Sequence, residues 1–162
     1  MTLWTPYRQS LALASVERWR GTPHRDHVAI QGIGVDCIHF VASVLQESEI
    51  VPQRTMPGYD PQEGLHDRSD RLREAFAACL HGREVDKREP MFGDLAVFKT
   101  GRTSGHCGIV LNGMLAHALV RSGVVLTSYK AWRPDVACLF RIEETGYKLN
   151  PSSLWQNVFN SE

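Results

Sequence analysis

Three residues have the types and the spacing of a nucleophile with its base: Cys37, His106 and His117. Cys37 follows Gly34-Val35-Asp36 and opens the apolar stretch Ile38-His39-Phe40-Val41-Ala42-Ser43-Val44-Leu45. Asp36 is a strong N-cap residue, since its carboxylate accepts hydrogen bonds from the free N–H groups of a first helical turn. Cys37, Phe40, Val41, Val44 and Leu45 recur at i, i+3, i+4, i+7 and i+8, so the spacing predicts a helix that turns these residues toward a core. The cysteine then stands in the first turn, where unpaired N–H groups and the helix dipole favour a thiolate. The thiolate is the nucleophilic form. A cysteine on a core face is by itself equally the mark of a small buried hydrophobe. What favours reactivity is a pair of imidazoles further along the chain.

The two histidines are placed by strand parity. Asn112-Gly113 lies between apolar runs, the strongest short signal for a two-residue hairpin turn. With that turn Leu111 faces Met114, Gly108 faces His117 and His106 faces Leu119. Opposed residues share a face and side chains alternate along a strand. His106 and His117 therefore project to one side as diagonal neighbours, about 7–8 Å apart. Gly108 leaves the space between them open. If the helix start abuts that face, His106 can take the thiol proton of Cys37 while His117 fixes the tautomer of His106. The backbone N–H of Cys37 can then stabilise an oxyanion. By the same parity Cys107, Ile109 and Leu111 fall on the opposite face, as core. His39, two positions after Cys37, does not face it. No close-spaced ligand pair is present, and a zinc site needs three or four convergent ligands, so no metal is expected.

The elements that must position these residues divide into a helical half and a strand-rich half. Leu13, Val16 and Trp19 predict a helix over 10–20, ended by Gly21-Thr22-Pro23. Residues 24–33 form an irregular approach to the cysteine. After Leu45 a long surface loop carries Pro52, Pro57, Gly58, Pro61 and Gly64; it either shapes a substrate groove or is a solvated excursion. Leu72, Phe76, Cys79 and Leu80 predict a second amphipathic helix over 67–80, and residues 82–90 read as a charged linker. Short β-type runs follow at 95–98, 107–111, 114–120, 123–126 and 136–142, separated by turn signals. The expected fold is α+β, with N-terminal helices on an antiparallel sheet of about five strands. Residues 1–143 are expected to form this domain. Residues 144–162, with Leu149, Leu154, Trp155, Val158 and Phe159, are a tail that packs on the domain or on a partner.

Composition narrows the function. The 162 residues suit one domain, and 43% hydrophobic with 22% charged residues is ordinary for a globular chain. Lys and Arg number 18, as do Asp and Glu, so no general basic surface for nucleic acid is expected. No apolar run reaches the length of a bilayer span. The N-terminus lacks the basic start and apolar stretch of a secretory signal, so cytoplasmic synthesis is expected. Cys37, Cys79, Cys107 and Cys138 are widely spaced, which argues for free thiols over a disulfide framework.

Taken in order, these motifs resemble the NlpC-type cell-wall peptidases, papain-like cysteine endopeptidases of peptidoglycan. Asp36-Cys37-Ile38-His39-Phe40-Val41 is similar to that family's cysteine motif. Gly93-Asp94-Leu95 through His106-Cys107-Gly108-Ile109, and then His117-Ala118, are similar to its remaining motifs. Trp19-Arg20-Gly21-Thr22-Pro23-His24, Trp132-Arg133 and Phe140-Arg141 resemble most closely the members encoded among bacteriophage tail genes. The resemblance covers about residues 8 to 143.

It implies a papain-like fold and hydrolysis of an amide bond in a peptidoglycan stem peptide, often between D-glutamate and a diamino acid, with no metal or cofactor. Cys37 would be the nucleophile, His106 the general base and acid, and His117 the orienting residue. His24, where the family usually has tyrosine, and Asp36 would border the oxyanion and the substrate. Ile38 and His39 replace smaller residues. The phage likeness implies a place in the virion, with other tail proteins as partners through the C-terminal tail. Two further readings stay open: an acyltransferase using the same three residues, and a wall-binding or assembly module of a tail complex.

Overall fold

The computed structural model describes residues 2–51, 82–99 and 105–143. The loop around residues 52–66, the predicted helix over 67–80 with Cys79, and the tail at 144–162 lie outside the described residues.

The first helix, α1, runs Pro6–Trp19 and begins four residues earlier than its apolar spacing suggests. The cause is local. The Thr5 hydroxyl accepts the Arg8 N–H at 3.3 Å, and Pro6 occupies the first turn, where its missing donor costs nothing. After the short hairpin β1 (Ala29–Ile30) and β2 (Gly34–Val35), Asp36 caps α2 (Cys37–Glu47), accepting the His39 N–H at 2.8 Å. One residue ties the two helices together. The Glu47 carboxylate accepts from Ser15 Oγ at 2.5 Å, Arg18 Nη2 at 3.0 Å and Trp19 Nε1 at 3.1 Å.

The strands are β3 (Gly82–Val85), β4 (Leu95–Phe98), β5 (His106–Leu111), β6 (Met114–Leu119), β7 (Gly123–Ser128) and β8 (Val136–Ile142). They form one antiparallel sheet in the order β3-β8-β4-β5-β6-β7. The fold is α+β as expected, with six strands in the sheet where about five were expected. The extra one, β3, falls in the stretch that reads as a linker. It is an edge strand paired with β8, and its exposed Arg83 and Glu84 give it a polar look.

Two cores flank the sheet. Helix α2 packs across β5 and β6, so Phe40, Val41, Val44 and Leu45 bury with Cys107, Ile109, Leu111, Ala116 and Ala118. Burying side chains of this kind contributes about 1.5–3 kcal/mol each. The other face carries Phe98, Val110, Leu115, Tyr129 and Leu139. At the sheet's rim Asp94 is buried, and its carboxylate accepts Arg141 Nε at 2.9 Å and Nη2 at 2.8 Å, plus the Met91 N–H at 2.8 Å. This pair joins the Gly93-Asp94 turn to β8. Gly93 has φ +86°, and a Cβ there would run into the Trp4 indole.

Candidate active site

The hairpin is paired as parity requires, with Leu111 opposite Met114 and Ile109 opposite Ala116. Asn112 and Gly113 both adopt positive φ, +47° and +77°, as a type I′ turn demands. His106 and His117 consequently share a face, and His106 Nε2 lies 3.0 Å from His117 Nδ1. Gly108 stands between them. A Cβ there would come within 2.9 Å of the Ala116 carbonyl oxygen and 3.0 Å of His117 Cβ.

His117 is fully buried. Its burial, and secondarily the charge of His106, push its pKa down to about 3, so it stays neutral at neutral pH. Phe98 lies 5.0 Å from the His106 ring and 6.0 Å from the His117 ring, centre to centre. The Trp132 ring meets His117 edge-on at 5.0 Å. These two aromatic rings pack around the buried His117, while His106 is half-buried at the cleft. On the far side His117 Nε2 lies 2.9 Å from Thr127 Oγ1 on β7.

Cys37 comes to His106 by a different route from the one expected. Helix α2 packs on the Cys107 face of the sheet, not on the histidine face. Its first residue lies near the end where β5 begins, and Cys37 Sγ lies 3.7 Å from the Gly105 carbonyl oxygen. At a strand's end side chains of both faces can reach one point. There Cys107 and His106 are the side chains that act on the sulfur. Cys107 is the larger influence lowering the Cys37 pKa. Burial opposes it, the hydrogen bond and charge of His106 lower it further, and the charge of Asp36 raises it. The balance holds the thiol well below an ordinary cysteine.

The remaining expected site residues separate. His24 bridges to Val35 and lines the same cleft as Cys37 and His106. Asp36 borders the cleft but is 1% exposed. Its carboxylate is engaged by the His39 N–H, by His39 Nδ1 at 2.8 Å and by the His27 N–H at 3.1 Å. Its evident work is to cap α2 and to anchor the approach segment. The bulk of Ile38 and His39 is likewise turned inward, since both are buried. The cleft is about 560 Å³ in volume, with Lys99, Asp26, Asp135 and Trp132 among its walls.

Three contributors escape a reading of the sequence alone. Cys107 is assigned to the core by parity, which is where it lies, yet it is the first cause lowering the pKa of Cys37. Phe98 reads as an ordinary apolar strand residue, and Trp132 enters only through the family resemblance, with no role at the site. Thr127 could have been found: it lies opposite Leu115, diagonal to His117, by the same rule that pairs the histidines. Among the described residues no three His, Cys, Asp or Glu side chains are grouped to hold an ion. No helix there is long and apolar enough to cross a membrane.

A thiol of lowered pKa, an imidazole beside it and a second, buried neutral imidazole have the chemistry that acyl transfer requires. Comparison with known proteins gives the class. The model of the NlpC/P60 family matches residues 18–140, and the chain belongs to that family. It is 30% identical over 116 residues to the probable endopeptidase NlpC of Escherichia coli, an alignment covering 70% of this chain and 63% of that protein. The chain thus spans somewhat under two thirds of that relative's length.

Two solved structures share the fold. One is an NLP/P60 family protein of Staphylococcus aureus, described as similar to lipoprotein: TM-score 0.59, 16% identity, 88% of this chain and 43% of that one. The other is the peptidoglycan hydrolase RipB of Mycobacterium tuberculosis: TM-score 0.55, 16% identity, 85% of this chain and 65% of that one.

Proposed function

We propose that this chain is a cysteine endopeptidase that hydrolyses an amide bond in peptidoglycan stem peptides. One observation carries the reading: a sulfur whose pKa His106 helps to lower, lining one cleft with His106, whose Nε2 is held by a buried, neutral imidazole. His106 uses Nε2 toward His117, which leaves Nδ1 for the proton of Cys37.

The Cys37 thiolate attacks the amide carbon, and the carbonyl oxygen becomes an oxyanion. The backbone N–H of Cys37, at the start of α2, meets that charge, and His24 on the cleft wall can supply a second hydrogen bond. His106 then gives its proton to the leaving nitrogen as the C–N bond breaks. Water, deprotonated by His106, attacks the thioester and releases the acid and the thiolate. Lys99 on one wall and Asp26 and Asp135 on others suit a peptide with both carboxylate and ammonium groups, as stem peptides are. The family membership, and the likeness to a probable endopeptidase, support the reaction class.

The expected result is that Cys37→Ala and His106→Ala each abolish release of cleaved muropeptides from purified sacculi while the variants remain folded. Turnover retained in Cys37→Ala would reject the mechanism. We further propose a place among phage tail proteins, supported by the approach segment Trp19 to His24. Detection of the chain in purified virions is the expected outcome, and its consistent absence contradicts that placement.

A further inference from the structure

His106, His117 and Thr127 form a diagonal line across three adjacent strands, on one face of the sheet. The direction of each hydrogen bond along this line is fixed by the chemistry at Cys37. When His106 holds the cysteine proton it is an imidazolium, and both of its nitrogens are donors. Its Nε2–H must then point at His117 Nδ1, which must accept. Neutral His117 therefore carries its own proton on Nε2, 2.9 Å from Thr127 Oγ1. That proton is buried beside the Phe98 and Trp132 rings, and a buried donor needs an acceptor. With the opposite tautomer, His117 Nδ1–H would donate to His106 Nε2. His106 could not then become doubly protonated without losing the bond.

We propose that Thr127 is a positioning residue for this reaction: its hydroxyl oxygen accepts the Nε2–H of His117 and so holds His117 in the tautomer that receives Nε2–H of His106. The proposal rests on the reading of Cys37 and His106 as nucleophile and base. Thr127 touches no reacting atom and acts through His117 alone. It is half-buried on β7, and a hydroxyl that can both donate and accept also keeps His117 satisfied between turnovers.

The test uses Thr127→Val, which keeps the shape and removes the oxygen, and Thr127→Ser, which restores it. Nitrogen-15 shifts of the His117 ring are read in the wild type and in both variants. Turnover of sacculi and the pH midpoint of Cys37 alkylation are read alongside. The wild type is expected to show His117 protonated at Nε2. Thr127→Val is expected to lower kcat about tenfold with little change in KM, the effect of one buried hydrogen bond. Its alkylation midpoint rises, and Thr127→Ser recovers both.

A wild-type His117 protonated at Nδ1 overturns the proposal, and this measurement needs no variant to fold. Thr127→Val with unchanged kcat and midpoint overturns it as well, and so do equal losses in Val and Ser. Failure of the peptidase reading is separate: it shows as turnover retained in Cys37→Ala, while the ring shifts still decide the role of Thr127.

Discussion

A missing side chain holds the two imidazoles at working distance. Gly108 lies opposite His117, and its absent Cβ would meet the Ala116 carbonyl oxygen at 2.9 Å. Gly108→Ala is expected to push β5 from β6, lengthen the 3.0 Å contact of His106 with His117 and cost about 1–3 kcal/mol of stability by overpacking. The check is a urea midpoint together with muropeptide release, which should fall further than the stability loss explains. Parity along a two-residue turn makes this arrangement legible in the sequence, because each residue's face follows from counting. The same counting separates Cys107 from His106 correctly but hides its influence on Cys37. A period-two rule says nothing of a helix start that lies where a strand begins.

Among the elements, α2 brings the sulfur and the sheet brings the imidazoles, and the buried Asp94–Arg141 pair fixes how the sheet is tied together. Asp94→Asn keeps the shape and removes the charge. It leaves Arg141, a quarter exposed, without its ion partner. The expected loss is about 1.5–3 kcal/mol in a denaturant melt, the worth of hydrogen bonds to a charged group at a partly exposed site. Apolar spacing finds the body of α1 and of α2 but misplaces the start of α1. The Thr5-Pro6 signal for that start is polar and lies outside the periodic stretch. The edge strand β3 is missed for a related reason: with one neighbour and charged residues along it, it has no alternation to detect.

At the scale of the whole molecule, two cores on opposite faces of one sheet let a site be assembled at a strand's end, with the sulfur supported from one side and the imidazoles from the other. Burial of His117 links this site to folding. Its pKa is about 3 in the fold against 6.5 ordinarily, so the unfolded chain takes up a proton between these values and the folded chain does not. Stability should therefore fall as pH drops from 6.5 toward 3. Urea midpoints measured across that window should slope less in His117→Gln than in the wild type, and equal slopes would show that another group dominates.

The central claim is that Cys37 is an acidic thiol, its pKa lowered first by Cys107 and further by His106. Its most direct measurement is the rate of iodoacetamide alkylation at Cys37, mapped by peptide mass against pH in the wild type and in His106→Ala. The wild type should alkylate Cys37 ahead of the other three cysteines at pH well below the range of an ordinary thiol, with a midpoint that rises in His106→Ala. A wild-type Cys37 that alkylates no sooner than the others, or a midpoint indifferent to His106, would contradict the account.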